Sequence, residues 1–138
     1  MIAQSLFVAG ATIFGILGTL HLAFTFFSNK FNAYDQSVTA AMKMTSPIIS
    51  KETTMWKAWI GFNASHSLGA ILVAAFYIPL SLGNMDVILG NPWFSVLPVV
   101  FGLAYLWLAK RYWFKIPFIG ILIATTCFVG AAFFINIY

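Results

Sequence analysis

The chain holds two histidines, His21 and His66, and each falls inside a long apolar run rather than in a polar segment. An ionisable side chain within a bilayer is costly and normally faces the protein interior, so each imidazole is a site candidate on physical grounds. Around His66, the run from Met55 to Gly69 concentrates aromatic, polar and small residues on what reads as one helix. Asn63, three positions before His66, shares its face, and Thr25 lies one helical turn beyond His21. Gly18 stands three residues before His21, and Gly69 three after His66. If the two helices run in opposite directions, both glycines fall on the same side of their histidine and leave room for a flat molecule.

The most concrete chemistry for such a pair is a b-type haem held by His21 and His66, with glycine admitting the porphyrin edge. The plainer one is a neutral imidazole hydrogen-bonded to Asn63, Ser67, Thr25 or a backbone carbonyl. Nucleophilic catalysis fits less well. Ser65 and Ser67 adjoin His66 in sequence and so face away from it on a helix, and the pattern offers neither a third residue nor an oxyanion hole. The leading expectation is therefore a small accessory or ligand-binding protein with an intramembrane polar pocket lined by His21, His66, Asn63, Gly18, Gly69, Thr25 and Ser67. A haem-binding electron-transfer protein is the second reading, with His21 and His66 as the only metal ligands. A small lipid-modifying enzyme or carrier is the third. No residue is assigned a catalytic role.

These residues must be positioned by membrane helices. Of 138 residues, 62% are hydrophobic and 7% charged, with a mean hydropathy of +0.94, far from the composition of a soluble globular domain. A helix needs about 20 apolar residues to cross the hydrocarbon, and the sequence divides into spans at 2–27, 55–82, 92–109 and 117–138. The expected fold is an all-α, antiparallel four-transmembrane-helix bundle forming a single domain. The amino terminus lacks a basic n-region, so the first run reads as a retained span. At 1.5 Å per residue, His21 and His66 lie roughly 9 and 14 Å from the same end of their spans.

Between the first two spans, residues 28–54 are polar yet keep apolar residues at helical intervals. Asp35 is a plausible N-cap for a short amphipathic helix through Met44, with Val38, Ala41 and Met42 on its apolar side. A second turn is expected near Ser50. This connector reads as lying against the headgroups, or alternatively as a lid over a site. Pro79 falls near the end of the second span, 81–86 reads as a turn, Asn91-Pro92 restarts the chain, and Pro98 sits in the third span. Ala11, Gly15 and Thr19, then Gly61, Ser65 and Gly69, then Gly120, Ala124, Gly130 and Ala131 are small residues suited to close helix packing.

All seven basic residues lie in or beside two connectors: Lys30, Lys43, Lys51 and Lys57 around the first, Lys110, Arg111 and Lys115 around the third. The positive-inside rule assigns connectors 28–54 and 110–116 to the cytoplasm and both termini to the opposite side of a bacterial inner membrane. The charges form no groove or stripe, so nucleic acid is not an expected partner. The bilayer is, together with further copies of the chain or a larger membrane complex. The acids, Asp35, Glu52 and Asp86, all fall in connectors, which disfavours carboxylate proton relays and di-iron sites. Cys127, the single cysteine, reads as a small apolar packing residue.

The strings His21-Leu22-Ala23-Phe24-Thr25-Phe26-Phe27 and Thr54-Met55-Trp56-Lys57-Ala58-Trp59-Ile60-Gly61-Phe62-Asn63-Ala64-Ser65-His66-Ser67-Leu68-Gly69 resemble those of an uncharacterised family of small bacterial membrane proteins with four spans. The resemblance covers the first half of the chain. It implies the four-span architecture and brings no catalytic residue with it.

Overall fold

The computed structural model describes residues 2–137. Its elements are α1 (Ile2–Phe27), α2 (Gln36–Met44), α3 (Met55–Gly83), α4 (Met85–Gly90), α5 (Pro92–Tyr112) and α6 (Lys115–Ile137). Within them, Ile2–Phe27, Met55–Gly83, Pro92–Tyr112 and Lys115–Asn136 are each long and apolar enough to cross a membrane. The chain is an all-α integral membrane protein. Hydrocarbon offers no partner to backbone N–H and C=O groups, and a helix satisfies them within its own segment.

Most boundaries follow the sequence, with three differences. The third span extends past 109 to Tyr112, because Lys110 and Arg111 can stay helical while their charged ends reach water. The fourth begins at Lys115 rather than Pro117; a proline in the first turn sacrifices no hydrogen bond, since those N–H groups have no helical partner. The segment expected as a turn at 81–86 ends α3 at Gly83 and opens the short α4. Asn91 caps α5 as expected, its Oδ1 accepting from Trp93 N at 3.0 Å, and the helix continues through buried Pro98.

The chain divides into two compact units, one comprising residues up to Leu17 with those from Ala70 onward, the other Gly18–Gly69. In the first, neighbouring helices are antiparallel. Gln4 Nε2 donates to Ser81 O at 2.8 Å, Phe7 stacks on Tyr77 and Gly15 meets Ala74, so α1 and α3 run in opposite directions. Leu6 faces Gly130, Gly10 faces Phe128 and Leu17 faces Gly120, which sets α6 antiparallel to α1. Asn136 Nδ2 donates to Ser95 Oγ at 3.1 Å and Gly102 abuts Thr125, which does the same for α5 and α6. Phe14 stands at the centre, stacked on Phe128 at 5.9 Å and edge-on to Phe101 and Tyr105.

Small residues set how closely these helices approach. A Cβ on Gly10 would lie 2.8 Å from the Phe128 ring and 3.0 Å from the Ala124 carbonyl oxygen. Gly15, Gly120, Ala124, Gly130 and Ala131 also pack as the sequence suggested. Thr19 does not; it is exposed. Nor does the stripe on α3 pack throughout, because Gly61 and Ser65 are exposed and nothing lies within 4 Å of a Cβ at Gly61.

In the second unit, Asp35 caps α2, its carboxylate accepting from Ser37 N at 2.8 Å. Hydrogen bonds from Ser37, side chain first and backbone second, hold the Asp35 carboxyl below its usual range. The buried residue of α2 is Thr39, whose hydroxyl accepts from Ala33 N at 3.1 Å. Val38 and Ala41 are exposed and Met42 half-buried, so the expected apolar side is not turned into the unit. The turn expected to begin near Ser50 instead ends there, with Ser50 N donating to Pro47 O at 3.3 Å. Thr54 then starts α3, its hydroxyl accepting from Lys57 N at 3.2 Å.

Two outcomes check this packing. Gly10→Ala drives a methyl into a neighbouring backbone and should cost roughly 1–3 kcal/mol, read as a lower unfolding temperature in detergent, whereas Gly61→Ala should be neutral or slightly stabilising. The Asp35 carboxyl has a depressed pKa, so its contribution to α2 is present above the unfolded carboxyl pKa and is lost as pH falls through the folded one. Amide protection in α2, corrected for intrinsic exchange, should therefore decline at acid pH in the wild type and stay level in Asp35→Asn.

Candidate functional site

The sequence places His21, Asn63 and His66 on segments that the fold brings together. All belong to the unit Gly18–Gly69, with His21 near the end of α1 and the other two on the first half of α3. His21 Nε2 lies 3.0 Å from Asn63 Oδ1, and the imidazole rings of His21 and His66 meet edge-on with centroids 5.8 Å apart. Both histidines and Asn63 are half-buried.

Proton placement in this cluster follows from one further bond. Asn63 Nδ2 donates to Trp59 O, one turn earlier on α3, at 2.8 Å. The amide oxygen therefore faces His21 and accepts, which assigns the proton on His21 to Nε2 and, in the neutral ring, leaves Nδ1 with a lone pair. An asparagine fixed through its own helix is a rigid acceptor, so it selects both the tautomer and the ring orientation of His21.

The remaining site residues play different parts. Thr25, buried, donates to His21 O at 2.8 Å, and Ser67, also buried, donates to Asn63 O at 2.8 Å. Each hydroxyl is thus bonded to the carbonyl four residues back on its own helix, in place of the imidazole contact that the sequence allowed. Gly18 is buried and Gly69 half-buried.

Two residues not chosen from the sequence complete the cluster. The Phe31 ring lies against His21, centroids 4.5 Å apart, and Phe31 O accepts from Trp59 Nε1 at 3.0 Å. The start of the connector is thereby folded over the histidine and latched to the helix that carries Asn63. The only signal in the sequence was a large aromatic immediately after the polar break Ser28-Asn29-Lys30. Lys30 Nζ sits over the Phe24 ring, 4.6 Å from its centroid.

Among the described residues, no group of three or more His, Cys, Asp or Glu is assembled as a metal site. Comparison with family models, with curated proteins and with solved structures finds no match to this chain. The chemistry available at the site is that of two imidazoles and an amide, with the Phe31 ring against His21.

Replacing Asn63 by alanine leaves the His21 Nε2–H without its acceptor and frees the Trp59 carbonyl. Loss of that partner should cost about 1–3 kcal/mol. In ¹⁵N spectra of histidine-labelled protein, the neutral His21 signal should show the Nε2–H tautomer in the wild type and a mixture of tautomers in Asn63→Ala.

Proposed function

We propose that the chain is a small accessory protein of the membrane that binds a neutral, hydrogen-bonding amphiphile at the His21–Asn63–His66 cluster. The observation that carries this reading is the constrained His21 imidazole. Asn63 holds its Nε2–H, Phe31 covers one side of the ring, and the neighbouring His66 ring provides a second nitrogen heterocycle at 5.8 Å. No Lys, Arg, Asp or Glu lies among these residues, so the cluster suits an uncharged polar group such as a hydroxyl or carbonyl on an apolar body. Thr25 and Ser67 commit their hydroxyl protons to backbone carbonyls rather than to an imidazole, so the lipid-modifying reading ranks below simple binding.

Haem is the competing ligand. Iron on His21 Nε2 would displace Asn63 Oδ1 from a distance of 3.0 Å, and Phe31 would have to leave the ring it covers. The residues as arranged favour a hydrogen-bonding ligand over a porphyrin.

The bacterial inner membrane, with connectors 28–54 and 110–116 in the cytoplasm and both termini outside, belongs to the same proposal. Its support is the confinement of all seven basic residues to those connectors and their edges. Association with further copies or with a larger membrane complex completes it; the exposed Gly61 and Ser65 on α3 offer a face of low bulk for such packing.

Native mass spectrometry of protein extracted with its own lipids provides the test. The wild type should retain a neutral adduct that His21→Ala and Asn63→Ala both release, with the unfolding temperature shifted in the ligand-free state. A Soret band and a reduced α band in the purified protein, absent in both histidine variants, would establish haem instead. If no adduct distinguishes the wild type from either variant, the cluster serves packing alone.

A further inference from the structure

Three exposed apolar side chains of the connector are left unexplained by the histidine cluster. Met44, Ile48 and Ile49 are almost completely solvent-exposed, though a water-facing connector would bury or avoid such residues. Met44 ends α2, and Ile48 and Ile49 belong to the closed loop that follows it. Met55 N donates to Thr45 O at 2.9 Å, so the chain leaves α2, turns, and returns to the start of α3 beside its point of departure. The tip is the hydrogen-bonded turn from Pro47 to Ser50, reinforced by Glu52 N donating to Ser50 Oγ at 3.1 Å. Ile48 and Ile49 are its central residues.

Tethering limits where this tip can be. Ile48 is three residues beyond Thr45, so an extended chain carries it no more than about 10 Å from Thr45, the residue hydrogen-bonded to the entry of α3. That entry marks a membrane span. The Lys43 ammonium lies over the Trp56 ring, 5.3 Å from its centroid, so the end of α2 is also held against the first turn of the span. Each headgroup region is roughly 5–7 Å thick, so the tip is within reach of the acyl-chain boundary. The exposed charges beside it are Lys43, Lys51 and Lys57, with Glu52 the single acid. Apolar residues at a tip and cations behind it match the polarity profile of an anionic leaflet.

We propose that the loop between Thr45 and Met55 is a membrane-surface anchor: Ile48 and Ile49 insert below the headgroups while Lys43, Lys51 and Lys57 engage anionic lipid phosphates. The anchor fixes the connector whose other end carries Phe31 over His21. It stands independently of any ligand at the histidines.

The test uses the full chain reconstituted in vesicles, with Cys127→Ala and an environment-sensitive fluorophore on Ile48→Cys. A lipid carrying a nitroxide near its headgroup should quench the probe at least twofold, and aqueous iodide should quench it little. Adding phosphatidylglycerol to phosphatidylcholine vesicles should deepen the probe, and Lys43→Gln with Lys51→Gln should remove that dependence while leaving the quenching in phosphatidylcholine. Unlabelled protein supplies a second readout: Ile48→Ser with Ile49→Ser should speed tryptic cleavage after Lys51 about tenfold in vesicles. Full access to iodide would place the loop in water, and shielding from both quenchers would place it against protein; either result overturns the proposal. Equal depth in both lipids would overturn its anionic selectivity.

Discussion

Hydrocarbon provides no hydrogen-bond partner, and this constraint organises both the scaffold and the polar cluster. Backbone groups are satisfied by long helices. The hydroxyls and amides that the spans carry are satisfied mainly on the same helix. Thr25, Ser67, Thr125 and Thr126 each donate to the carbonyl four residues back, and Asn63 and Asn136 do the same through their amide nitrogens. A polar atom already satisfied in this way can be carried into a bundle with little penalty. Ser81 Oγ is the exception among the described residues, being buried without a partner.

Asparagine differs from serine and threonine in carrying its donor and its acceptor on separate atoms, so one can bond its own helix while the other points elsewhere. Asn136 reaches Ser95 and its own helix through one amide nitrogen. Asn63 divides the work, with nitrogen to Trp59 O and oxygen to His21. That division turns a helix-internal bond into a fixed link between α1 and α3 within the unit Gly18–Gly69.

Packing in the other unit follows a separate logic. Its aromatic centre of Phe7, Phe14, Tyr77 and Phe128 is reached by backbone approach at Gly10 and Gly15. Van der Waals fit, rather than exclusion of water, drives such association, because lipid tails are as apolar as the side chains they would replace. The tight contacts at small residues are therefore the main source of specificity among these helices.

Length and apolarity determined the helical class and the four candidate spans, and residue type determined the Asn91 and Asp35 caps, since each depends on local hydrogen bonding or on the thickness of the hydrocarbon. The company of His21 with Asn63 and His66 was also legible, because ionisable groups in spans turn toward polar partners. Helical periodicity could not say which hydroxyls face the imidazoles; competition from the i−4 carbonyl removed Thr25 and Ser67 as donors. Nor could it separate the packed stripe at Gly15 from the open one at Gly61, because both have the same spacing and only a neighbouring helix distinguishes them. Phe31 over His21, the Trp59 latch and the closed loop at Thr45 and Met55 arise from connector segments whose path is decided by contacts distant in sequence. Tertiary structure alone decided those, because a connector has no periodicity to reveal where it folds back.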